Sequence, residues 1–474
     1  RMTQQHATSE PAAALDVLVV GAGVAGLYAV HRLRGQGLSV CAVEAGDGVG
    51  GTWYWNRYPG ARCDVESIDY SYSFDPQLEQ EWDWTERYAT QPEILRYLEH
   101  VADRYDLRRS ILFGRRVATA ALDEDSGRWR IGLDTGERFA TRFVVFAAGS
   151  LSAANTPDLP GLGSFAGRTF HTARWPHEPV EFAGRRVGVI GTGSSGIQII
   201  PILAEPAEHL TVFQRSPNYS IPSPNRPHTP ESRAEYRRSY ADRRRLSRES
   251  GGGSPHRPDP RDTLEVPESE RTEIYQRQWQ LGGVLFSKAF PDQLRDAAAN
   301  APARAFFEAK VRATVDDPVI ADMLIPTDHP IGTKRICTDS GYYPTFNRPD
   351  VTLVDLRATP IEQVTPGGIR TPGGEHALDD IVFATGFDAL TGALAAIDIR
   401  GRGGRELRAE WAAGPRTYLG LGVAGFPNMF VVTGPGSPGV LTNMILASEH
   451  HVDWIGDTIA HLDAHGLWGI EATA

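Results

Sequence analysis

Two glycine clusters have the residue types and the spacing that let a backbone turn hold a pyrophosphate. They read GAGVAG from position 21 and GTGSSG from position 191. In such a turn the first glycine allows a tight bend, the second lets the phosphates approach the backbone, and the third lets helix and strand pack closely. Two turns of this kind predict two nucleotides and a redox relay between them. The glycines concerned are Gly21, Gly23, Gly26, Gly191, Gly193 and Gly196.

The first cluster has the flanking elements that a dinucleotide site needs. It follows an apolar, β-branched run, Leu15 to Val20, and precedes a helical pattern of apolar residues that ends near Gly35. A second strand ends at Glu44, where an acid binds the ribose hydroxyls. The alternative, a glycine-rich turn in an empty α/β domain, does not account for this acid.

The second cluster has a different residue at the ribose position. It follows the strand Arg186 to Ile190, its helix begins with Ser194 and Ser195, and the next strand ends at Arg215 and Ser216 rather than at an acid. An arginine there suits a 2′-phosphate, which an acid would repel. The sequence therefore predicts NADPH as this nucleotide, against the alternative that Arg215 is only a surface charge.

The composition is that of an ordinary globular protein, with 474 residues, 41% of them apolar and 23% charged. A net charge of −11 argues against nucleic acid or an anionic membrane as a general partner. No apolar run approaches the roughly 18 residues of a membrane helix. The N-terminal stretch has no apolar signal core, and the three cysteines form no CxxC pair, so we expect a cytoplasmic protein without disulfides.

The order of these elements predicts an α/β fold with two Rossmann-like domains and a helical insertion in the second. The insertion contains a helix from Glu231 to Glu249 with seven arginines, which are expected to form a solvated, ion-paired face. Two further helical stretches follow, Glu268 to Leu281 and Pro291 to Val315. The predicted boundaries are 12–152 and 383–474 for the first domain, 153–222 and 331–382 for the second, and 223–330 for the insertion.

The stretch between the clusters, FAGRTFHTARWP, carries a family resemblance. It fits FxGxxxHxxxWP and resembles the fingerprint of Baeyer–Villiger monooxygenases, flavoproteins that insert one oxygen atom beside a ketone carbonyl. We expect this stretch to join the two domains and to carry their relative motion. The histidine is read either as a general base or, preferably, as a support for the hinge. The fixed positions are Phe165, Gly167, His171, Trp175 and Pro176.

A second motif, from Gly51 to Asp64, matches the family's Gly-x-Trp, four residues, Tyr-Pro-Gly, three residues, Asp. The resemblance covers nearly the whole chain, and the loop that begins GPGSP is similar to the phenylacetone and steroid monooxygenase branch. Trp53 is expected either to cover the flavin ring or to pack in the core. Members of the family continue for tens of residues past the position of Ala474, and that segment helps to close the substrate pocket.

The resemblance implies FAD at the first cluster and NADPH at the second. It places the catalytic arginine at Arg335, oriented by Asp64, although a Lys-Arg pair at this point also fits a plain surface. Lys334 is implied to contact the phosphate end of NADPH. The other implied flavin contacts are Gly51, Thr52, Trp53, Asp64 and Met444. The implied substrate loop is Ser437, Pro438, Gly439, Val440 and Leu441.

The implied reaction uses NADPH and O2, through a peroxyflavin, to convert a ketone to an ester or lactone. One alternative is a flavin monooxygenase that acts on sulfur or nitrogen. Another is a disulfide reductase, which needs a redox-active cysteine pair that the sequence lacks. A third is a catalytically incomplete flavin-binding protein. The sequence identifies neither the ketone nor an oligomeric state.

Overall fold

Two sheets carry the two glycine clusters in a computed structural model that describes residues 12–437 and 439–473, except for the side chains at 12, 13 and 440. Within these residues the strands are β1 (Ala12–Val20), β2 (Val40–Val43), β3 (Ile111–Leu112), β4 (Val117–Asp123), β5 (Arg128–Leu133), β6 (Arg138–Phe146), β7 (Arg168–His171), β8 (Arg186–Ile190), β9 (His209–Gln214), β10 (Ser220–Pro222), β11 (Cys337–Asp339), β12 (Val351–Asp355), β13 (Gln363–Thr365), β14 (Gly368–Thr371), β15 (Gly374–Ala377), β16 (Asp380–Phe383), β17 (Asp398–Arg400) and β18 (Met429–Val431). The helices are α1 (Val24–Gly35), α2 (Thr52–Trp55), α3 (Pro76–Glu81), α4 (Gln91–Arg104), α5 (Ser194–Ala204), α6 (Pro230–Arg248), α7 (Glu268–Leu281), α8 (Ala297–Thr314), α9 (Pro318–Leu324), α10 (Tyr342–Thr345), α11 (Gly392–Ala395), α12 (Leu407–Glu410) and α13 (Met444–Ala464).

The first sheet has the strand order β17-β4-β5-β6-β1-β2-β3, with β18 also paired to β6. Its central strands β6, β1 and β2 are parallel, and β1 is buried on both faces, which explains its continuous apolar sequence. Helix α1 packs against α13 beside this sheet. We call this sheet and the helices packed on it the first unit.

The second sheet has the order β12-β9-β8-β16-β7, and all its strands are parallel. Helix α5 follows β8, as predicted, and its apolar residues pack in one core with Tyr275 of α7 and Phe307 of α8. We call this sheet and its packed helices the second unit. The parallel strands and the mixed α/β architecture confirm the predicted fold class.

The arginine-rich helix α6 forms the predicted ion pairs, but its face is less solvated than predicted. Its Tyr236 and Tyr240 lie in the core of the first unit. Arg243 donates to Asp69 at 2.9 Å and to Glu66 at 2.6 Å, and Arg244 is only 7% exposed. Arg244 is buried and Arg243 is mostly withdrawn from solvent because acids of residues 66–79 in the first unit neutralise them. Arg245, by contrast, remains exposed.

The fingerprint stretch is an ordered edge of the second sheet, not a free connection. Strand β7 pairs with β16, so that His171 lies opposite Phe383. A methyl group at Gly167 would lie 2.3 Å from the Asp379 carbonyl oxygen, so only glycine allows this approach. Trp175 is buried against Phe170 and Phe182. The chain passes between the sheets at residues 147–167 and 384–397 instead.

A helical turn, the state of the cysteines and the character of the helices complete the description of the fold. The Tyr-Tyr segment after β11 forms the helical turn α10. All three cysteines are free thiols, as predicted. Across the described part of the chain, no helix combines the length and the apolar composition required to cross a bilayer.

Arg244→Met is expected to lower the free energy of unfolding by about 3 kcal/mol, because it leaves the buried Glu79 without its partner. Arg244 Nε donates to Glu79 at 2.7 Å, and each side chain is 9% exposed. The matched control is Arg245→Met, whose arginine is 58% exposed and which should change stability by less than about 0.5 kcal/mol. Urea unfolding followed by tryptophan fluorescence measures both. Equal midpoints for the two variants would mean that the Arg244 pair does not anchor α6.

Candidate active site

A partly buried, bidentate ion pair joins the two units. Arg335 Nε donates to Asp64 Oδ2 at 2.6 Å, and Nη2 donates to Oδ1 at 2.8 Å. Burial alone would lower the pKa of Arg335, but the charge and the hydrogen bonds of Asp64 raise it above its usual value. The guanidinium therefore stays charged and fixed in orientation. These are the two residues that the sequence predicted to act together.

A cavity of about 120 Å³ opens beside this pair. Its wall is formed by segments distant in sequence, namely residues 64–69, 252–256, 282–288, 332–336 and 441–443. Leu441 of the predicted substrate loop lines it, whereas Pro438 lies outside the described residues. Lys288 and His256 also line it, and no sequence motif had singled out either residue.

The Gly51 to Asp64 segment connects the two glycine turns. A methyl group at Gly51 would lie 2.8 Å from the Gly23 Cα, so the segment begins against the first turn. Tyr58 donates its hydroxyl proton to Gln198 of α5 at 2.7 Å. A methyl group at Gly60 would lie 2.8 Å from the Gln198 carbonyl oxygen. The fixed glycines and the tyrosine of this motif therefore have a physical reason, which is close packing between the units.

The first glycine turn is built to receive a phosphate-containing ligand. Gly21 has φ of +104°, and a methyl group on Gly26 would lie 1.9 Å from the Gly21 carbonyl oxygen, so the turn excludes side chains at both positions. Glu44 accepts hydrogen bonds from the Ala22 and Gly46 N–H groups at 2.7 and 2.8 Å. Burial raises the pKa of Glu44, and these two hydrogen bonds oppose the rise.

The second turn repeats this geometry. Gly191 has φ of +110°, and a methyl group on Gly196 would lie 2.2 Å from the Gly191 carbonyl oxygen. A methyl group on Gly193 would meet nothing within 4 Å, so open space lies above the residue predicted to face the pyrophosphate. Ser194 and Ser195 begin α5, as predicted. The residues at both turns therefore fit dinucleotides.

The predicted 2′-phosphate position contains a second arginine that sequence reasoning missed. Arg215 is exposed at the end of β9. Arg357, just past the neighbouring strand β12, donates to the Ser216 hydroxyl at 3.1 Å and pairs with Asp328 at 3.0 Å. Arg357 lies near Ser216 because β9 and β12 are parallel neighbours, so that both residues follow the same ends of their strands. A single sequence does not show that pairing. Lys334 is also exposed.

His171 lies where the two passages between the sheets meet. Its Nδ1 accepts a hydrogen bond from the Ala173 N–H at 3.0 Å. Its Nε2 lies 3.3 Å from both the Asn155 carbonyl oxygen and the Thr385 hydroxyl, one from each passage. Burial lowers its pKa. These contacts favour the supporting role over the general-base alternative.

The remaining predicted flavin contacts surround the first turn and the start of α13. Thr52 is the exposed first residue of α2, and Trp53 is buried with its indole N–H donating to Tyr70 at 3.1 Å. Met444 begins α13. The preceding Asn443 caps this helix and donates to the Asp69 carbonyl oxygen at 2.7 Å, which ties the helix to the Asp64 segment.

The cysteines next to the ion pair are not poised for redox chemistry. Cys63 precedes Asp64, and burial raises its pKa above the usual value of a thiol. Burial, assisted by the charge of Asp64, raises the pKa of Cys337 to about 12. The thiolate is the reactive form, so both side chains stay unreactive at neutral pH. This disfavours the disulfide reductase alternative.

Comparisons with known proteins agree with this geometry. The family model for flavin-binding monooxygenase-like proteins matches residues 14–223. A solved steroid monooxygenase bound to NADP is 66% identical, with a TM-score of 0.95, over 97% of this chain and 88% of that one. A Baeyer–Villiger monooxygenase of Pseudooceanicola batsensis is 42% identical over 99% of this chain and 86% of its own. A phenazine N-monooxygenase of Lysobacter antibioticus is 42% identical over 97% of this chain and 84% of its own.

The fold and the site thus define a flavoprotein monooxygenase with two dinucleotide sites, one for FAD and one for NADPH. The chain belongs to the Baeyer–Villiger monooxygenase family. The identity to the steroid monooxygenase confirms the predicted placement near that branch. Solved relatives with FAD and NADP confirm both predicted cofactors.

Gly193→Ala is expected to leave folding and FAD content unchanged but to raise the KM for NADPH about tenfold, because its methyl group fills the space of the pyrophosphate. The contrasting variant is Gly196→Ala, whose methyl group would lie 2.2 Å from a backbone oxygen and should also lower the melting temperature. Steady-state kinetics and thermal melting separate the two effects. An unchanged KM in Gly193→Ala would show that NADPH does not pass over this glycine.

Proposed function

We propose that the chain catalyses the Baeyer–Villiger oxygenation of a ketone to an ester or lactone, with O2 and NADPH as co-substrates. The observation that carries the proposal is the partly buried, bidentate pair of Arg335 and Asp64 in a cavity wall. Asp64 of this pair is the last residue of the segment that connects the two nucleotide turns. Flavin bound at the first turn and reduced by NADPH supplies the activation of O2.

Arg335 stabilises the negative charge that develops on oxygen when the ketone carbonyl is attacked. A guanidinium suits this task because it stays protonated at every working pH and presents N–H donors in a fixed plane. Because Arg335 is largely withdrawn from water, its charge acts through a lower effective dielectric than at the surface. No proton needs to move to or from this residue.

Asp64 is a positioning residue in this proposal. Its two oxygens fix the plane of the guanidinium, and its charge offsets the cost of burying that cation. At the turns, Glu44 binds the flavin ribose, and Arg215, Ser216 and Lys334 bind the phosphate end of NADPH. The exposure of Arg215 and Lys334 supports these nucleotide roles, since both can reach a ligand without unfolding a core.

A second candidate function is oxygenation at nitrogen or sulfur. The 42% identity to a phenazine N-monooxygenase favours it. Phenylacetone and thioanisole, supplied separately with NADPH and analysed by gas chromatography, distinguish the candidates. Ester from the ketone supports the proposal. Sulfoxide from thioanisole, with no ester from phenylacetone or from a wider panel of linear and cyclic ketones, would favour the second candidate. FAD binding without turnover of any substrate would favour a purely flavin-binding protein.

The proposal includes a cytoplasmic location, since the three thiols are free. Its partners are a small ketone and O2. The domain boundaries given above, 12–152 with 383–474, 153–222 with 331–382, and 223–330, are also part of it. Because α6 packs on the first unit, the insertion contributes residues to the cores of both units.

Arg335→Ala is expected to retain reduction of the flavin by NADPH but to lose about 10²- to 10³-fold in ester formation, with hydrogen peroxide released instead. Stopped-flow absorbance measures reduction, and product analysis with a peroxide assay measures the rest. Arg335→Lys is the matched variant, because it keeps the charge but not the two parallel hydrogen bonds to Asp64. Its rate of ester formation should lie between those of the wild type and Arg335→Ala. Ester formation at the parental rate in Arg335→Ala would remove the assigned role.

A further inference from the structure

The cavity beside Arg335 contains a second cation, Lys288. It ends a short helical segment, Gly283–Lys288, that lines the cavity. Burial lowers the pKa of Lys288, and the nearby charges of Arg335 and Arg257 lower it further. Among the residues that the structure describes, no carboxylate or hydrogen-bond acceptor pairs with this ammonium group.

The acids of the cavity wall are already paired with arginines. Asp64 binds Arg335, and Glu66 is held by Arg87 and Arg243. Asp69 also binds Arg243, at 2.6 Å. Each carboxylate of this wall therefore has a guanidinium partner, and Lys288 is a cation whose charge the described wall leaves unbalanced.

The backbone around Lys288 makes room for its charged end. A methyl group built on Gly252 would lie 2.6 Å from Lys288 Nζ, so the ammonium group rests directly against this glycine. The same methyl group would lie 3.9 Å from the Leu441 carbonyl oxygen, in the predicted substrate loop. Gly252 is thus close both to the ammonium group and to that loop, and all three line the cavity that holds Arg335.

An unbalanced, partly buried cation favours an anionic ligand, because the anion restores the interactions that burial removes from the ammonium group. The described residues of the cavity wall include none from either glycine turn. The pyrophosphates of the two nucleotides are expected at those turns, and the 2′-phosphate of NADPH at Arg215, Ser216 and Lys334. None of these three residues lines the cavity, so the nucleotide phosphates do not account for Lys288. An anion bound here shares the cavity with the reacting carbonyl.

We propose that Lys288 is a specificity residue that binds a carboxylate of the substrate, so that the preferred ketones are oxo acids. This inference rests on the proposed oxygenation of ketones and adds a substrate class to it. The carbonyl lies at Arg335 and the carboxylate at Lys288. Lys288 contributes binding to the charged end and takes no part in the oxygen transfer.

The test compares 2-octanone, 7-oxooctanoate and methyl 7-oxooctanoate on the FAD-loaded enzyme. The three ketones differ only at the end remote from the carbonyl, and only the oxo acid carries a charge. Because the distance that the chain must span is not fixed, 5-oxohexanoate and 9-oxodecanoate are included. The wild type is expected to have a KM about 10- to 100-fold lower for at least one oxo acid than for 2-octanone and the methyl ester.

Three variants of the lysine site complete the test. Lys288→Met keeps the length and the apolar stem, and it should abolish the preference for oxo acids while changing kcat/KM for 2-octanone by less than about twofold. Lys288→Arg keeps the charge and should retain most of the preference. Gly252→Ala keeps the lysine but displaces its ammonium group, so it should weaken oxo acid binding alone.

Each contrary result has a distinct meaning. No preference in the wild type, or equal losses on all ketones in Lys288→Met, would overturn the carboxylate site. A higher KM for NADPH in Lys288→Met, with the preference for oxo acids intact, would assign the cation to the nucleotide instead. Release of hydrogen peroxide by Lys288→Met with every ketone would assign Lys288 to the oxygen chemistry instead. Failure of the wild type to oxygenate any ketone would refute the proposed function itself.

Discussion

The salt bridge between Asp64 and Arg335 constrains the rest of the structure. Its residues are 271 positions apart and come from different units, so the pair forms only when both units are folded and in register. A buried carboxylate or guanidinium without its partner costs several kcal/mol, which makes misaligned arrangements unfavourable. The close packing of Tyr58 and Gly60 on α5 serves the same alignment.

Much of this architecture is readable from sequence because its signals are local. Strand, glycine turn and helix follow one another within about 20 to 25 residues, and each is fixed by side-chain periodicity and by the backbone freedom of glycine. The Asp64 and Arg335 roles came from motif resemblance, and only the structure shows that they touch. Arg357 and Lys288 gave no sequence signal, because their environments are made by strand pairing or by several chain segments that are separate in sequence.

The burial of Arg244 on α6 depends on the acids that lie opposite this helix. Seven arginines on one helix predict a solvated face only if nothing opposite carries negative charge. Here Glu66, Asp69 and Glu79 lie opposite, and they allow Arg244 to be buried and Arg243 to be mostly withdrawn from solvent. The same acids follow Asp64 closely in sequence, so the helix also supports the segment that ends at Asp64. Charge patterning on one element is therefore incomplete information until its partner surface is known.

The packing of α6 also changes the mechanics of the molecule. Within the described residues the chain passes between the two units four times, at 147–167, 223–229, 249–267 and 384–397. A body attached by two strands of backbone can swing about a single axis. Four attachments, one of them held by buried ion pairs, restrict rotation and favour small sliding displacements at the shared surface. Such sliding would vary the width of the cavity at residues 252–256 while keeping the nucleotide turns intact.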